Sequence, residues 1–144
     1  MQKQCHPDVR DYGGEPFVFN ISRVANMNTN FRTALWTGEY MQLTVMSIPV
    51  GEDVGAEMHA TVDQYIRVES GRALIKIGKD CKLDSGERCV DSNYAVIIPA
   101  GTWHNIINVG YTPLKLCSIY APPQHPLGTT HQTRFDAERQ EKDK

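Results

Sequence analysis

The feature that most constrains this chain is a succession of short runs rich in β-branched and aromatic residues, separated by Gly, Pro, Asn and Asp. The turn residues recur at intervals of about ten, which is typical of all-β proteins. No stretch before residue 129 shows an apolar period of 3.6, so crossover helices are not expected. The strand-like runs are FVFNI, FRTALWT, YMQLTVMSI, DQYIRVE, RALIKIG, RCVDS, YAVIIP, WHNIINV and PLKLCSIY. The pattern predicts a β-sandwich or a barrel.

Length and composition indicate one domain. A chain of 144 residues with 40% hydrophobic residues can bury one adequate core. We expect a single domain over residues 1–144, with a core over about 17–122 and an N-terminal segment over 1–16. The charged stretch over 129–144 has helix-forming residues but few apolar anchors, so it predicts a short surface helix or a frayed tail.

Charge, hydropathy and cysteine content narrow the kinds of partner and the cellular compartment that we expect. Fifteen Lys and Arg against 17 Asp and Glu, with no basic block, give no reason to expect nucleic acid or an anionic membrane as a partner. There is no apolar run of the roughly 18 residues that a transmembrane helix needs, and the start lacks the apolar segment of a signal peptide. We therefore expect a cytoplasmic protein with free thiols, which binds a small molecule or another copy of itself.

Several polar residues occupy positions that alternation directs into the core. In the run QYIRVE, Gln64 shares a face with Ile66 and Val68, and Glu57 and His59 are two residues apart. His104 follows the PAG turn, where a new strand begins. A carboxylate, an imidazole and an amide in an apolar barrel each cost a few kcal/mol unless something satisfies them. A metal ion would satisfy all of them together.

Two motifs carry a resemblance to a known family. Gly51, Glu57, His59, Gln64 and Gly71 are separated by five, one, four and six residues, and the PAGTWHNIIN stretch sets a Pro-x-Gly turn two residues before a His. Both resemble the two motifs of the cupins. The resemblance implies a double-stranded β-helix, a jelly-roll-like barrel of antiparallel strands. The wider sequence is similar to small single-domain cupins of the mannose-6-phosphate-isomerase-like subgroup.

The resemblance also implies the metal ligands. The motif positions map onto Glu57, His59, Gln64 and His104. Glu57 stands where the cupin pattern usually has His, and Gln64 where it usually has Glu. The total ligand charge is therefore unchanged, but the neutral amide of Gln64 is the weakest ligand of the four. Such a mixed N and O set suits one divalent ion, which can be Zn²⁺, Mn²⁺, Fe²⁺, Co²⁺ or Ni²⁺.

Other residues are candidates for the substrate pocket. Arg32 shares a face with Ala34 and Trp36, and if that face is the inner one, Arg32 can bind a carboxylate or phosphate; otherwise it is a partly exposed strand residue. Asp63, next to Gln64, is a possible support for a ligand. His125, in the stiff segment PPQHP, either closes the barrel mouth or lies in a surface loop. The full set of pocket candidates is Arg32, Gln42, Thr44, Tyr65, Tyr120 and His125.

The function predicted from these residues is that of a metal-binding cupin. The leading hypothesis is an enzyme that acts on a sugar, sugar phosphate or sugar acid by an isomerase-like proton transfer at the metal. The alternatives are a non-catalytic cupin that binds a sugar or carboxylate, and an iron-dependent dioxygenase. The sequence does not identify the catalytic base. Similarity to cupins implies a homodimer.

Overall fold

The computed structural model describes residues 8–142, with side chains described as far as residue 140. Two helices and nine strands follow one another along this part of the chain. They are α1 (Ile21–Met27), β1 (Arg32–Thr37), β2 (Gln42–Ile48), β3 (Asp63–Ser70), β4 (Ala73–Gly78), β5 (Gly86–Val90), β6 (Ala95–Ile98), β7 (Trp103–Asn108), β8 (Leu114–Ala121), β9 (Thr130–His131) and α2 (Arg134–Lys142).

The strands form two antiparallel sheets. One has six strands in the order β6-β3-β8-β2-β1-β9, and the other has three in the order β5-β4-β7. Apolar side chains from both sheets share one core, to which β3 and β8 contribute Ile66 and Leu116 and β4 and β7 contribute Ile75 and Ile106. The predicted all-β class and the double-stranded β-helix are confirmed, and eight of the predicted runs are strands β1 to β8.

The interior of the barrel changes from polar to apolar along the strands. In the six-stranded sheet, Gln42, Tyr120 and Gln64 lie side by side in one row across β2, β8 and β3. The next row toward the other end has Thr44, Ser118 and Ile66, and the row after it has Met46, Leu116 and Val68. Ile66 and the whole of the third row belong to the core cluster. One end of the barrel is thus filled, and polar side chains gather at the other end.

The outer face of the six-stranded sheet is covered by the segment that precedes β1. The run FVFNI was expected to be a strand, and this prediction is wrong: it is unpaired, and the chain then enters α1. Phe17 and Phe19 stack 4.3 Å apart between their ring centroids and pack against the outer face, while Val18 between them is 99% exposed. Alternation in this run therefore reflects packing against a sheet without hydrogen bonding to it.

Helix α1 lies before residue 129, where the sequence shows no apolar period of 3.6, and it precedes β1 without connecting parallel strands. Asn20 caps it, since its side chain accepts a hydrogen bond from the backbone N–H of Arg23 at 3.0 Å. Val24 and Ala25 are fully buried against the outer face of the sheet. A helix of 7 residues presents too few turns for an apolar period of 3.6 to stand out in the sequence.

A second correction concerns β1. The register of β1 against β2 shifts between Ala34 and Trp36, as in a β-bulge, so simple alternation fails there. Arg32 and Ala34 keep the inner face, whereas Trp36 packs with the apolar cluster on the outer face. Alternation predicts that Trp36 shares a face with Arg32, and this prediction is wrong.

The predicted C-terminal helix is confirmed as α2, and β9 just before it was not predicted. The two-residue strand β9 pairs with the start of β1, Arg32 opposite His131. Ala137 of α2 packs into the main core cluster. Of the helices in the described part of the chain, none is long and apolar enough to cross a membrane.

Candidate metal centre

The centre is built on a backbone bridge between Glu57 and His104. The N–H of Glu57 donates to the carbonyl of His104 at 3.0 Å, and the N–H of His104 donates back to the carbonyl of Glu57 at 2.9 Å. The loop that leads to Glu57 thus runs along β7 as an irregular extra strand. Asn105 supports this loop, because its Oδ1 accepts from the N–H of Gly55 at 2.9 Å and its Nδ2 donates to Asp53 at 2.8 Å.

His59 completes a cluster of three side chains. Oε1 of Glu57 lies 3.6 Å from Nε2 of His59 and 3.4 Å from Nε2 of His104. One potential ligand atom from each of the three residues lies within 4.8 Å of the other two. The carbonyl of His59 accepts from Gly101 at 2.8 Å, which ties the first motif to the turn of the second.

Electrostatics keep Glu57 ionised. Burial alone would raise the pKa of Glu57, but His104, His59 and the positive charge of Arg32 together hold that pKa well below its usual range. The pKa of His104 is raised above 6.5, because the carboxylate of Glu57 and the carbonyl of Thr102 outweigh the opposite effect of burial. Without a metal, the pair therefore favours a carboxylate beside a protonated imidazole.

The orientation of His104 suits a metal ligand. Its Nδ1 donates to the carbonyl of Thr102 at 3.0 Å, so in the neutral ring the lone pair is on Nε2. That Nε2 has no hydrogen-bond partner, although the ring is 1% exposed. A deprotonated His104 therefore directs a free lone pair toward Glu57 and His59.

Gln64 also has a buried atom that is available to bind a metal. Its Nε2 donates to Oγ of Ser118 at 2.7 Å, and its Oε1 is buried without a hydrogen-bond partner. Gln64 lies in the same row of the sheet as Tyr120, whose ring meets His59 edge-on at 5.7 Å between centroids. The serine thus binds the amide nitrogen and leaves the amide oxygen, the atom that would bind a metal, without a partner.

The unpartnered atoms test whether these residues fit a metal ion. Buried polar atoms in proteins nearly always have a partner, and each one left without a partner costs about 1–3 kcal/mol. Nε2 of His59, Nε2 of His104 and Oε1 of Gln64 all lack one, next to an ionised carboxylate. Two imidazoles, a carboxylate and an amide oxygen are the donor set of a divalent first-row metal. The residues present fit such an ion.

Arg32 reaches the same end of the barrel. It is 4% exposed, and its charge acts on Glu57 and on Tyr120. Nη1 of Arg32 lies 3.3 Å from Nδ1 of His131, and Nε has no partner. A cavity of about 210 Å³ lies between Arg32, Glu57 and α2. The inner position of Arg32 is the one that the sequence left open.

Tyr120 and His125 form the wall beside His59. Their rings meet edge-on at 5.2 Å between centroids. Burial, with a smaller contribution from Arg32, lowers the pKa of His125 to about 2, so its ring is neutral and its Nε2 has no partner. Burial raises the pKa of Tyr120. Both ionisable groups adjoin the cluster without being part of it.

Gln42 holds the loop of His125 in place. Its Nε2 donates to the carbonyl of His125 at 2.8 Å, and its Oε1 accepts from the N–H groups of His125 and Gln124 at 2.9 and 3.2 Å. A further bond joins Nε2 to Oγ1 of Thr37 at 3.0 Å. The hydrogen-bonding capacity of this candidate pocket residue is thus used within the protein.

The two remaining pocket candidates lie on different faces of the six-stranded sheet. Thr44 is fully buried on the inner face with an unpartnered Oγ1, whereas Tyr65 lies on the opposite face of β3 from Gln64, outside the barrel. Asp63 is exposed and accepts from the N–H of Ala100 at 2.8 Å, so it supports the turn before β7 rather than a ligand.

His131, Ser118 and Gln140 were missed by the sequence analysis. His131 stands next to Arg32 only because β9 pairs with β1, 99 residues away along the chain. No local pattern in the sequence signals that contact.

A comparison with protein families matches residues 44–120 to the Cupin_2 model, described as a cupin domain. This chain belongs to the cupin family. The YrkC protein of Bacillus subtilis (strain 168) is 54% identical over 129 residues, which cover 90% of this chain and 69% of YrkC. The L612 protein of Acanthamoeba polyphaga mimivirus is 37% identical over 113 residues, 78% of this chain and 69% of that protein.

Two solved structures are similar to this one. The crystal structure of BH2720 from Bacillus halodurans shares 52% identity with this cupin, covers 91% of it and 99% of its own chain, and has a TM-score of 0.89. A predicted oxalate decarboxylase from Thermotoga maritima has a TM-score of 0.56 at 15% identity, over 64% of this chain and 79% of that chain. The second likeness shows the fold alone.

Proposed function

We propose that this cupin binds one divalent metal ion through Glu57, His59, His104 and Gln64, and moves a proton on a sugar, sugar phosphate or sugar acid. The observation that carries the proposal is the set of unpartnered atoms: Nε2 of both histidines and Oε1 of Gln64. They accompany a carboxylate that is ionised at neutral pH. Both Nε2 atoms face the carboxylate of Glu57, at 3.6 and 3.4 Å, without a hydrogen bond of good geometry, and Oε1 of Gln64 has no partner.

The bound ion would polarise a carbonyl or hydroxyl oxygen of the substrate. The protein contributes the surroundings of that oxygen. Tyr120 is fully buried beside His59, and its raised pKa keeps the phenol protonated, so it can donate a hydrogen bond or a proton. His125 presents an unpartnered Nε2 on the other side of Tyr120. Ionisable groups beside the centre, and not part of it, support turnover over simple binding.

One observation favours a second function, a binding module without turnover. The pKa of His125 is lowered to about 2, which makes its ring a weak base at neutral pH. A weak base accepts a hydrogen bond from a sugar hydroxyl well but abstracts a proton poorly. In this alternative the same centre and wall would hold a sugar or a carboxylate, and no bond would change.

Metal analysis of untagged protein tests the centre. We expect stoichiometric metal in the parent and clear loss in Glu57→Ala, His104→Ala and Gln64→Ala. Glu52→Ala is the matched control, since Glu52 is an exposed carboxylate of the same loop. Equal metal in the parent and all three ligand variants would rule the centre out. Retention in Gln64→Ala alone would leave three ligands and an amide that only lines the pocket.

Solvent proton exchange separates the enzyme from the binding module. Metal-loaded protein is incubated in D₂O with D-mannose 6-phosphate or D-glucuronate, and deuterium at the carbon next to the carbonyl is followed by NMR. If the protein moves this proton, deuterium appears in the sugar with the parent protein. We expect none with His104→Ala. Binding of either compound without exchange in the metal-loaded parent would favour the binding module.

A further inference from the structure

Arg32 is a buried cation that makes no ion pair with a carboxylate among residues 8–140. It is 4% exposed. Two other arginines, Arg67 and Arg134, have side chains 36% and 35% exposed, and both contact carboxylates. Desolvating a guanidinium is costly without a compensating anion, and the cost grows with burial. The least exposed of these three arginines is thus the one without a carboxylate partner.

His131 contacts Arg32 directly, and Gln140 contacts His131. Nδ1 of His131 lies 3.3 Å from Nη1 of Arg32, and Nε2 of the same ring contacts Oε1 of Gln140 on α2. An amide oxygen only accepts, so Nε2 of His131 carries the proton and Nδ1 accepts from Arg32. His131 therefore occupies one edge of the guanidinium and leaves Nε without a partner.

The space next to Arg32 reaches Glu57 of the proposed metal centre. Arg32 and Glu57 both line the cavity of about 210 Å³, and α2 forms its other side. The volume suits a small group and not a large ligand. Glu57 is the carboxylate whose pKa Arg32 lowers, but the two side chains make no ion pair. With a divalent cation on Glu57, this region would be strongly positive and would favour an anion.

We propose that Arg32 binds an acidic group, a carboxylate or a phosphate, of the molecule held at the metal centre, and that His131 and Gln140 are positioning residues for it. Nε and the free Nη hydrogens of a guanidinium match two oxygens of either group. The inference rests on the proposed function for the rest of that molecule, and it makes the substrate an acid or a phosphate ester and not a neutral sugar.

NMR of the arginine side chain tests the proposal without a known substrate. The ¹⁵Nε–H resonance of Arg32, assigned by its absence in Arg32→Lys, is followed while acetate or inorganic phosphate is added to the full chain at constant ionic strength. We expect a saturable shift with one or both anions and no shift with chloride. A larger response to acetate would indicate a carboxylate, and a larger response to phosphate a phosphate ester.

Variants make the outcome specific. Arg32→Gln should weaken binding of the anion at least about tenfold, since it removes charge-assisted hydrogen bonds. Arg88→Gln, which removes an exposed arginine of β5, should leave it unchanged. Gln140→Met keeps every charge but removes one contact of His131, and should weaken binding of the anion severalfold. Equal affinity in Arg32→Gln and the parent, or no shift with either anion, would overturn the proposal.

The same titration distinguishes this proposal from the metal centre. A response of Arg32 in protein that binds no metal would uphold the anion site and refute the proposed metal function. Stoichiometric metal without a response of Arg32 would uphold the metal centre and refute the anion site.

Discussion

Glu57 and His104 face each other across a two-bond backbone bridge, with 3.4 Å between Oε1 of one and Nε2 of the other. The bridge holds a carboxylate against an imidazole at the polar end of the barrel. Because both backbones are hydrogen-bonded, neither side chain can move away from the other by a simple loop shift. The close contact of the two side chains is therefore a property of the sheet.

Stability of the metal-free protein should fall as the pH rises above about 6.5. The pKa of His104 is raised in the folded state, so its attraction to Glu57 is fully present below the unfolded value and is lost as the pH rises through the folded one. We expect a loss on the order of 1 kcal/mol in urea denaturation. His104→Gln should abolish this slope, and bound metal should remove it by deprotonating the ring. If the stability of the metal-free parent stays constant or rises over this pH range, the attraction between His104 and Glu57 is contradicted.

Ser118→Ala should weaken metal binding without removing a ligand. Ser118 accepts from Nε2 of Gln64 at 2.7 Å, so its loss lets the amide rotate away. We expect about a tenfold drop in metal affinity, measured by competition with a chelator. Thr44→Val is the matched control, because Thr44 lies next to Ser118 in the same row and its hydroxyl has no partner. Equal effects of the two substitutions would mean that Gln64 is not a ligand.

Gln42→Leu should loosen the loop that carries His125. The substitution removes the acceptor for two backbone N–H groups and the donor to a carbonyl. We expect a loss of about 2 kcal/mol or more in the free energy of unfolding, and faster proteolysis over 122–128. Gln132→Leu, at an exposed position, serves as the control. Comparable stability of the two variants would show that the loop does not depend on Gln42.

Cys117 should resist alkylation while Cys81 and Cys89 react. Cys117 is 4% exposed, and burial beside Glu69 raises the pKa of its thiol to about 12. Cys81 and Cys89 are free and exposed. Because the thiolate is the nucleophile, iodoacetamide at pH 8 should label the exposed pair in folded protein and Cys117 only after denaturation. Peptide mass spectrometry reads the sites, and early labelling of Cys117 would indicate local opening of β8.

The strands were predictable because each alternates over several residues between turn signals, and DQYIRVE and PLKLCSIY show this well. The run FVFNI has the same alternation and is unpaired, since alternation reports only that one face is buried. The bulge after Ala34 was not predictable either. A one-residue shift in register leaves no trace in composition, yet it moves Trp36 to the other face.

At the centre, the resemblance to the cupin motifs proposed four residues, since the first motif and the PAG turn lie in short local segments that a sequence pattern can match. The sequence left open the bonds of Gln42 and whether Arg32 lies on the inner face. Gln42 was a pocket candidate, and its amide instead bonds a loop 83 residues away. The environment of Arg32 depends on His131 and Gln140, which only the pairing of β9 and the packing of α2 bring near it.

The rows of side chains inside the barrel fill one of its ends and leave the other end as the opening. Leu116, Val68 and Met46 fill the far end, so a molecule at the Glu57–His104 end has no second exit through the sheets. Whatever leaves must pass the way the next molecule enters. If the centre turns over a substrate, product and substrate exclude each other, and inhibition by product should be competitive.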